Sequence, residues 1–247
     1  MKAMIFAAGL GTRLKPLTDN CPKALIPVDG KPMLQMVIEQ LKRFGFDEIV
    51  VNIHYLGEHI RQFLEQHQSF GIRIEISDET DEILETGGGL WKARHFFDDG
   101  KPFLLCNADI LTNIHLGAFY KQHQQNRALA TLAVRNRQSS RYLLFDEQNV
   151  LCGWENSKTD EQIIPRLSAK KISLLPYAFS GYHIISPEIF SFCNRTGKFS
   201  MIDWYLDVCG FKIIKAYHHD QDIWMDIGSV QQLEKANELV RSSNIFG

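Results

Sequence analysis

The sequence predicts an α/β protein of the Rossmann-like class: a single domain with a mixed, mainly parallel sheet and helices on both faces. Three observations point there. Short runs rich in valine, isoleucine and leucine alternate with amphipathic helical stretches through the first 134 residues, a pattern of parallel strands joined by helical crossovers. The first run ends in a glycine-bearing loop, Ala8-Gly9-Leu10-Gly11-Thr12, where open α/β sheets place their ligands. The composition is near the globular average, 45% hydrophobic and 23% charged over 247 residues, which excludes a disordered, collagenous or coiled-coil chain.

Lys2 to Ala7 is continuous, apolar and ended by glycine, as a buried first strand requires. After the turn Gly30-Lys31-Pro32, Met33, Leu34, Val37, Ile38, Leu41 and Phe44 recur at helical spacing. Glu48–Ile53 reads as a strand, Glu58–Gln66 as a helix and Ile72–Ile76 as a strand. A helix carrying Leu90, Trp91 and Ala93 follows, then a buried strand at Pro102–Cys106. Leu116–Gln124 and Leu129–Val134 repeat the helix–strand order. Beyond Arg135 the order loosens into Tyr142–Phe145, Val150–Trp154 and Leu174–Ile185, strands with little helix between them that suit an antiparallel extension. Strands near Ile213 and Trp224 precede a last helix with Val230, Leu233, Ala236 and Val240. Within the single domain this gives a first half (about 1–134), an insertion (about 135–215) and a closing strand and helix (about 216–247).

A formal charge of −2 and a pI near 6.5 offer no overall basic field for nucleic acid. Five cysteines without a C-x-x-C pair argue against a disulfide framework or a structural zinc site. The apolar run Ala3–Ala8 is too short for a signal peptide, and no stretch approaches the roughly 18 apolar residues of a membrane span. A cytoplasmic protein is expected, monomer or homodimer.

Glycines after a first strand let backbone N–H groups approach and cradle phosphates. The dinucleotide fingerprint would need a third glycine where Leu14 stands, and the Walker pattern G-x-x-x-x-G-K-[ST] is absent. Between Met1 and Arg43, seven Lys/Arg face three acids, a local basic excess suited to a polyanion. Six acids lie between Glu75 and Glu85 and read as a solvated loop. They lead into Thr86-Gly87-Gly88-Gly89 at a helix start, where a flat ligand can approach the backbone closely. Asp109 follows an apolar strand and Asp226 precedes the last helix; two such carboxylates suit Mg²⁺, which fills its shell with phosphate oxygens and water.

The continuous pattern Gly9-x-Gly11-Thr12-Arg13-Leu14, Pro16-Leu17-Thr18 and Pro22-Lys23-Ala24-Leu25-Ile26-Pro27 resembles the signature of the sugar-nucleotide pyrophosphorylases, nucleotidyltransferases acting on sugar 1-phosphates. The form Glu85-Thr86-Gly87-Gly88-Gly89 is similar to that of N-acetylmuramate 1-phosphate uridylyltransferases, with related strings in mannose 1-phosphate guanylyltransferases. The resemblance implies that Ala8, Gly9, Gly11, Thr12, Arg13, Lys23, Thr86, Gly87 and Gly88 bind a nucleoside triphosphate, with Arg13 and Lys23 on its phosphates. It implies that Asp109 and Asp226 hold Mg²⁺, that Arg13, Lys23 and Asp109 are catalytic, and that Asn107, Glu155 and Gly181 serve the sugar. Asn156 stands where the family commonly has lysine, with Lys158 displaced. The implied substrates are UTP and N-acetylmuramate 1-phosphate, for cell-wall or glycan synthesis. Hexose guanylyl- or thymidylyltransfer is the alternative within the family. Outside it stand a glycosyltransferase, which usually shows D-x-D where this chain has Asn107-Ala108-Asp109, and an inactive regulator that binds nucleotide sugars.

Overall fold

The apolar runs form strands because only paired backbone can be buried among so many valine, isoleucine and leucine side chains. A computed structural model describes residues 1–166 and 172–242. Residues 167–171 of the expected insertion and 243–247 of the closing segment lie outside the described residues. In chain order the elements are β1 (Lys2–Phe6), β2 (Pro27–Val28), β3 (Lys31–Pro32), α1 (Met33–Arg43), β4 (Glu48–Ile53), α2 (Gly57–Gln66), β5 (Arg73–Asp78) and α3 (Glu85–Lys92). There follow β6 (Phe103–Asn107), β7 (Ile110–Thr112), α4 (Leu116–Asn126), β8 (Ala130–Arg135), β9 (Arg141–Phe145), β10 (Leu151–Asn156) and β11 (Glu161–Ile163). The last are β12 (Leu175–Ile185), α5 (Met201–Val208), β13 (Ile214–His218), β14 (Trp224–Asp226) and α6 (Val230–Ser242). The fold is the expected α/β class with a mixed sheet.

The chain forms two compact units. The first takes Met1–Leu84, Leu105–Leu116 and the chain from Asp222; the second takes Glu85–Leu104 and Gly117–Gln221. In the first unit, β1, β4 and β5 pair in parallel, with Phe6 opposite Asn52 and Asn52 opposite Ser77. Helix α1 buries Met33, Leu34, Val37, Ile38 and Leu41, the apolar stripe seen in the sequence. One apolar cluster gathers Leu14, Ile26, Val28, Met33, Met36, Leu111, Ile227, Leu233 and Ala236.

In the second unit, β8 pairs in parallel with β13 and antiparallel with β12. The expected antiparallel portion continues through β9, β10 and β11. Gly181 lies where β12 slips register against β8; its φ of +81° is left-handed backbone that favours glycine.

Three histidines of this unit are held neutral by burial. His123, between the Thr131 and Ser186 hydroxyls, and His219 are pushed down to about 4. His183, bonded to the Tyr205 hydroxyl at 2.7 Å, is pushed down to about 3. Unfolding restores the ordinary value of 6.5, so below that pH the unfolded chain binds more protons than the folded one. Stability is thus full above about pH 7 and declines as pH falls toward the folded values, by about 2 kcal/mol per histidine at pH 5. Thermal melts at pH 7.5 and 5 check this; an unchanged Tm contradicts the burial of the three rings.

Candidate active site

The glycine loop takes its shape from one buried side chain. Gly11 adopts φ +64° and ψ 25°, and its carbonyl accepts the Leu14 N–H and the Thr18 hydroxyl, each at 2.9 Å. Thr12–Leu14 thereby close into a 3-10 turn that drops Leu14 into the apolar cluster and leaves Arg13 outside it. Leu14, the residue that breaks the dinucleotide fingerprint, is the anchor of this loop. A β-carbon at Gly11 would stand 2.8 Å from Thr18 Cγ2 and 3.0 Å from Lys23 Cβ, so the loop is closed tightly over the second 3-10 turn, Lys23–Leu25.

The two aspartates are brought together by a pair of strands. β7 and β14 run antiparallel with Ile110 opposite Asp226, and the Ile227 N–H donates to the Asp109 carbonyl at 2.9 Å. Leu111 and Ile227 plant these strands in the same cluster as Leu14 and Ile26. Each implied phosphate or metal residue of this unit therefore lies within three positions of a buried anchor: Arg13 by Leu14, Lys23 by Ile26, Asp109 by Leu111 and Asp226 by Ile227. Burial of the apolar neighbours orders the charged groups.

Lys23 Nζ is ion-paired with Asp109 Oδ2, both side chains largely buried. The point a β-carbon on Gly228 would take lies 2.7 Å from Arg13 Nη2 and 3.1 Å from Asp226 Oδ1. Lys23 is thus paired with Asp109, while Arg13 and Asp226 both close on Gly228. The carboxylates supply hard oxygen donors from paired strands, which fits a cation such as Mg²⁺; among the described residues no cluster of three or more His, Cys, Asp or Glu side chains forms a metal site. Part of the local basic excess is spent elsewhere, since Lys15 pairs with Asp19 and Lys31 with Glu39. Cys21 packs against the apolar cluster and burial raises its thiol, so it is no activated nucleophile.

In the second unit the glycine run lies inside α3 rather than ahead of it, and Gly87, Gly88 and Gly89 are buried. The Gly87 and Gly88 N–H groups donate to the Phe199 carbonyl at 2.9 and 3.1 Å, and Thr86 Oγ1 accepts the Met201 N–H at 2.9 Å. A β-carbon at Gly87 would meet the Phe199 ring at 2.5 Å and the Ser200 carbonyl at 2.8 Å. The close approach these glycines permit is therefore made, at Gly87, by Phe199 and Ser200. Glu155 lies on β10, with Gln162 Nε2 at 3.4 Å from Oε2, and the Asn156 side chain accepts the Lys158 N–H at 3.1 Å. Gly181 is on β12; Asn107, which ends β6, belongs to the first unit.

Two residues escaped the sequence reading. Asn52, on β4, accepts the Ala7 N–H at 2.7 Å and donates to Glu79 at 2.8 Å. Glu79 is only 1% exposed, which corrects the picture of the acidic segment as wholly solvated. The one signal for Asn52 was an amide inside Ile-Val-Val-Asn-Ile, where a polar group must be hydrogen-bonded.

The nucleotidyl transferase family profile matches residues 2–243. The N-acetylmuramate alpha-1-phosphate uridylyltransferase of Neisseria meningitidis serogroup B is 30% identical over 239 residues, covering 97% of this chain and 98% of that protein. The UTP–glucose-1-phosphate uridylyltransferase of a Synechocystis species is 29% identical over 257 residues, covering 99% of this chain and 64% of that protein. Among solved structures, a putative glucose-1-phosphate thymidylyltransferase from Bacillus anthracis superposes with a TM-score of 0.80 at 19% identity, over 100% of this chain and 97% of that one. At that identity the likeness concerns the fold.

Proposed function

The chain belongs to the nucleotidyl transferase family, and on that premise we propose that it joins UTP to N-acetylmuramate 1-phosphate as a single transferase domain, releasing pyrophosphate and a UDP-sugar. Sugar-1-phosphate nucleotidyl transfer is the activity its relatives share, and it is the activity of this chain; the choice of base and sugar is the proposed part. The observation that supports the reading is the pairing of Lys23 with Asp109, together with the convergence of Arg13 and Asp226 on Gly228. That the two relatives named as uridylyltransferases cover nearly the whole chain supports UTP.

A sugar phosphate is largely dianionic at neutral pH, its second pKa being about 6, so it attacks the α-phosphorus without a general base. What the protein must do is hold two anions in line and offset the charge gathering on the leaving pyrophosphate. Arg13 and Lys23 supply fixed positive charge, and the amides from Ala8 to Thr12 supply donors. Asp109 and Asp226 would hold Mg²⁺, which when bound orients and polarises phosphate oxygens. On the family resemblance, Thr86, Gly87 and Gly88 fall to the base, although the Gly87 and Gly88 N–H groups already bond the Phe199 carbonyl, and Asn107, Glu155 and Gly181 fall to the sugar. Five free cysteines accord with a cytoplasmic enzyme, and among the described residues no helix is long and apolar enough to cross a membrane.

Pyrophosphate release over four nucleoside triphosphates and a set of sugar 1-phosphates tests the reading. The highest kcat/KM is expected for UTP with N-acetylmuramate 1-phosphate. Faster turnover of GTP or dTTP with a hexose 1-phosphate replaces that choice. Hydrolysis of an NDP-sugar, with no turnover of any pair, points to a glycosyltransferase instead.

A further inference from the structure

Asn52 stands among Ile49, Val50, Val51 and Ile53, all buried, where an amide is costly unless every polar atom is used. Its Oδ1 accepts the Ala7 N–H at 2.7 Å and its Nδ2 donates to Glu79 Oε1 at 2.8 Å. The second carboxylate oxygen, Oε2, accepts the Leu84 N–H at 3.1 Å, and the Glu79 N–H donates to the Ile53 carbonyl at 2.8 Å. The Glu79 carbonyl lies 2.7 Å from His54 Nδ1. A carboxylate at 1% exposure with both oxygens facing donors is an expensive way to brace strands whose neighbouring positions are filled by valine and isoleucine. What distinguishes the arrangement is where it ends. Ala7 is the residue at which β1 gives way to the glycine loop, so the peptide held by Asn52 sets the aim of the amides that follow, from Ala8 onward.

We infer that Asn52 and Glu79 are positioning residues of the transfer site: they touch no substrate and hold the entry of the glycine loop in the orientation that receives the triphosphate. The inference rests on the proposed function, because it needs the loop at 8–13 to carry phosphates. Supporting groups of this kind commonly change ligand affinity by about 10- to 100-fold when altered.

Hydrogen-bond polarity supplies the test. Asn52→Asp sets two carboxylates against each other, and Glu79→Gln leaves one acceptor for two donors. The double exchange restores these three contacts in mirror order: the carboxylate now at position 52 accepts the Ala7 N–H and the new amide, whose carbonyl accepts the Leu84 N–H. With the nucleoside triphosphate that wild type turns over fastest, each single variant is expected to raise its KM about tenfold or more. The KM for the sugar phosphate should stay within about twofold and kcat within about threefold. The double variant should return the KM to within about threefold of wild type. Wild-type turnover with unaltered KM in both singles overturns this inference alone, as does a double variant no better than the worse single. A wild type that turns over no pair overturns the proposed function and this inference with it. Should a single variant fail to fold, the double decides: a near-wild-type KM supports the pair, and a raised KM or an unfolded double overturns it.

Discussion

Asp109→Ala is expected to lower pyrophosphate release about 10³-fold, roughly 4 kcal/mol of transition-state stabilisation. Two effects of the same sign add. The site loses one of its two carboxylates, and Lys23 loses the anion that holds it, since Lys23 Nζ is paired to Asp109 Oδ2. The fold should survive, because what this residue gives to the β7–β14 pairing is its backbone carbonyl, which accepts the Ile227 N–H whatever the side chain. The neighbouring anchors Leu111 and Ile227 are likewise untouched. Asp109→Asn separates charge from shape: if charge holds Lys23 and the metal, the isosteric variant falls nearly as far as alanine. Single-turnover pyrophosphate release at saturating substrate, with a thermal melt on the same sample, gives the answer. Near-full release from a folded Asp109→Ala protein would falsify the role assigned to this carboxylate.

The sequence showed the long elements because burial leaves a period in them. Helix α1 spans Met33–Arg43 where the apolar spacing ran from Met33 to Phe44, and β4 spans Glu48–Ile53 as read. What it did not show has no period. The strand Ile110–Thr112 is three residues long, yet its pairing with β14 brings Asp109 beside Asp226. The two 3-10 turns that present Arg13 and Lys23 are likewise too short for any moment to reveal. α3 takes in the glycines that the sequence places at a helix start, although each costs a helix up to about 1 kcal/mol relative to alanine. Tertiary packing overrode that propensity: Phe199 accepts two of the helix's N–H groups and leaves no room for a β-carbon at Gly87. The burial of Glu79 is also a tertiary fact. An acid among five others reads as solvated until the strand carrying Asn52 is laid beside it. The candidate residues themselves were legible through their motifs, whereas the contacts that orient them were not.

Gly228→Ala is expected to cost activity with little cost in stability, and that separation makes it informative. The backbone of Gly228 lies outside the left-handed region, so an added methyl group strains no torsion. The atoms it would meet first are Arg13 Nη2 at 2.7 Å and Cζ at 3.0 Å, the far end of an exposed, flexible side chain that can swing away. The next is Asp226 Oδ1 at 3.1 Å, which must give by a few tenths of an ångström. The unfolding free energy should therefore change by less than about 1 kcal/mol. The guanidinium, however, leaves the place from which it faces Asp226, and kcat/KM for the nucleoside triphosphate should fall about 10²-fold, roughly 2.7 kcal/mol. Gly11→Ala is the contrasting case. Its φ of +64° strains any L side chain, and its methyl would press on Thr18 Cγ2 at 2.8 Å and Lys23 Cβ at 3.0 Å, close to the main chain where neither can swing clear. That variant should lose about 2 to 4 kcal/mol of stability along with its activity. Melting temperature and kcat/KM measured on both variants separate the two glycines. If Gly228→Ala keeps kcat/KM within threefold of wild type, Arg13 does not act from the position beside Asp226; if it melts as early as Gly11→Ala, the turn at Gly228 is a packing constraint instead of an opening left for the guanidinium.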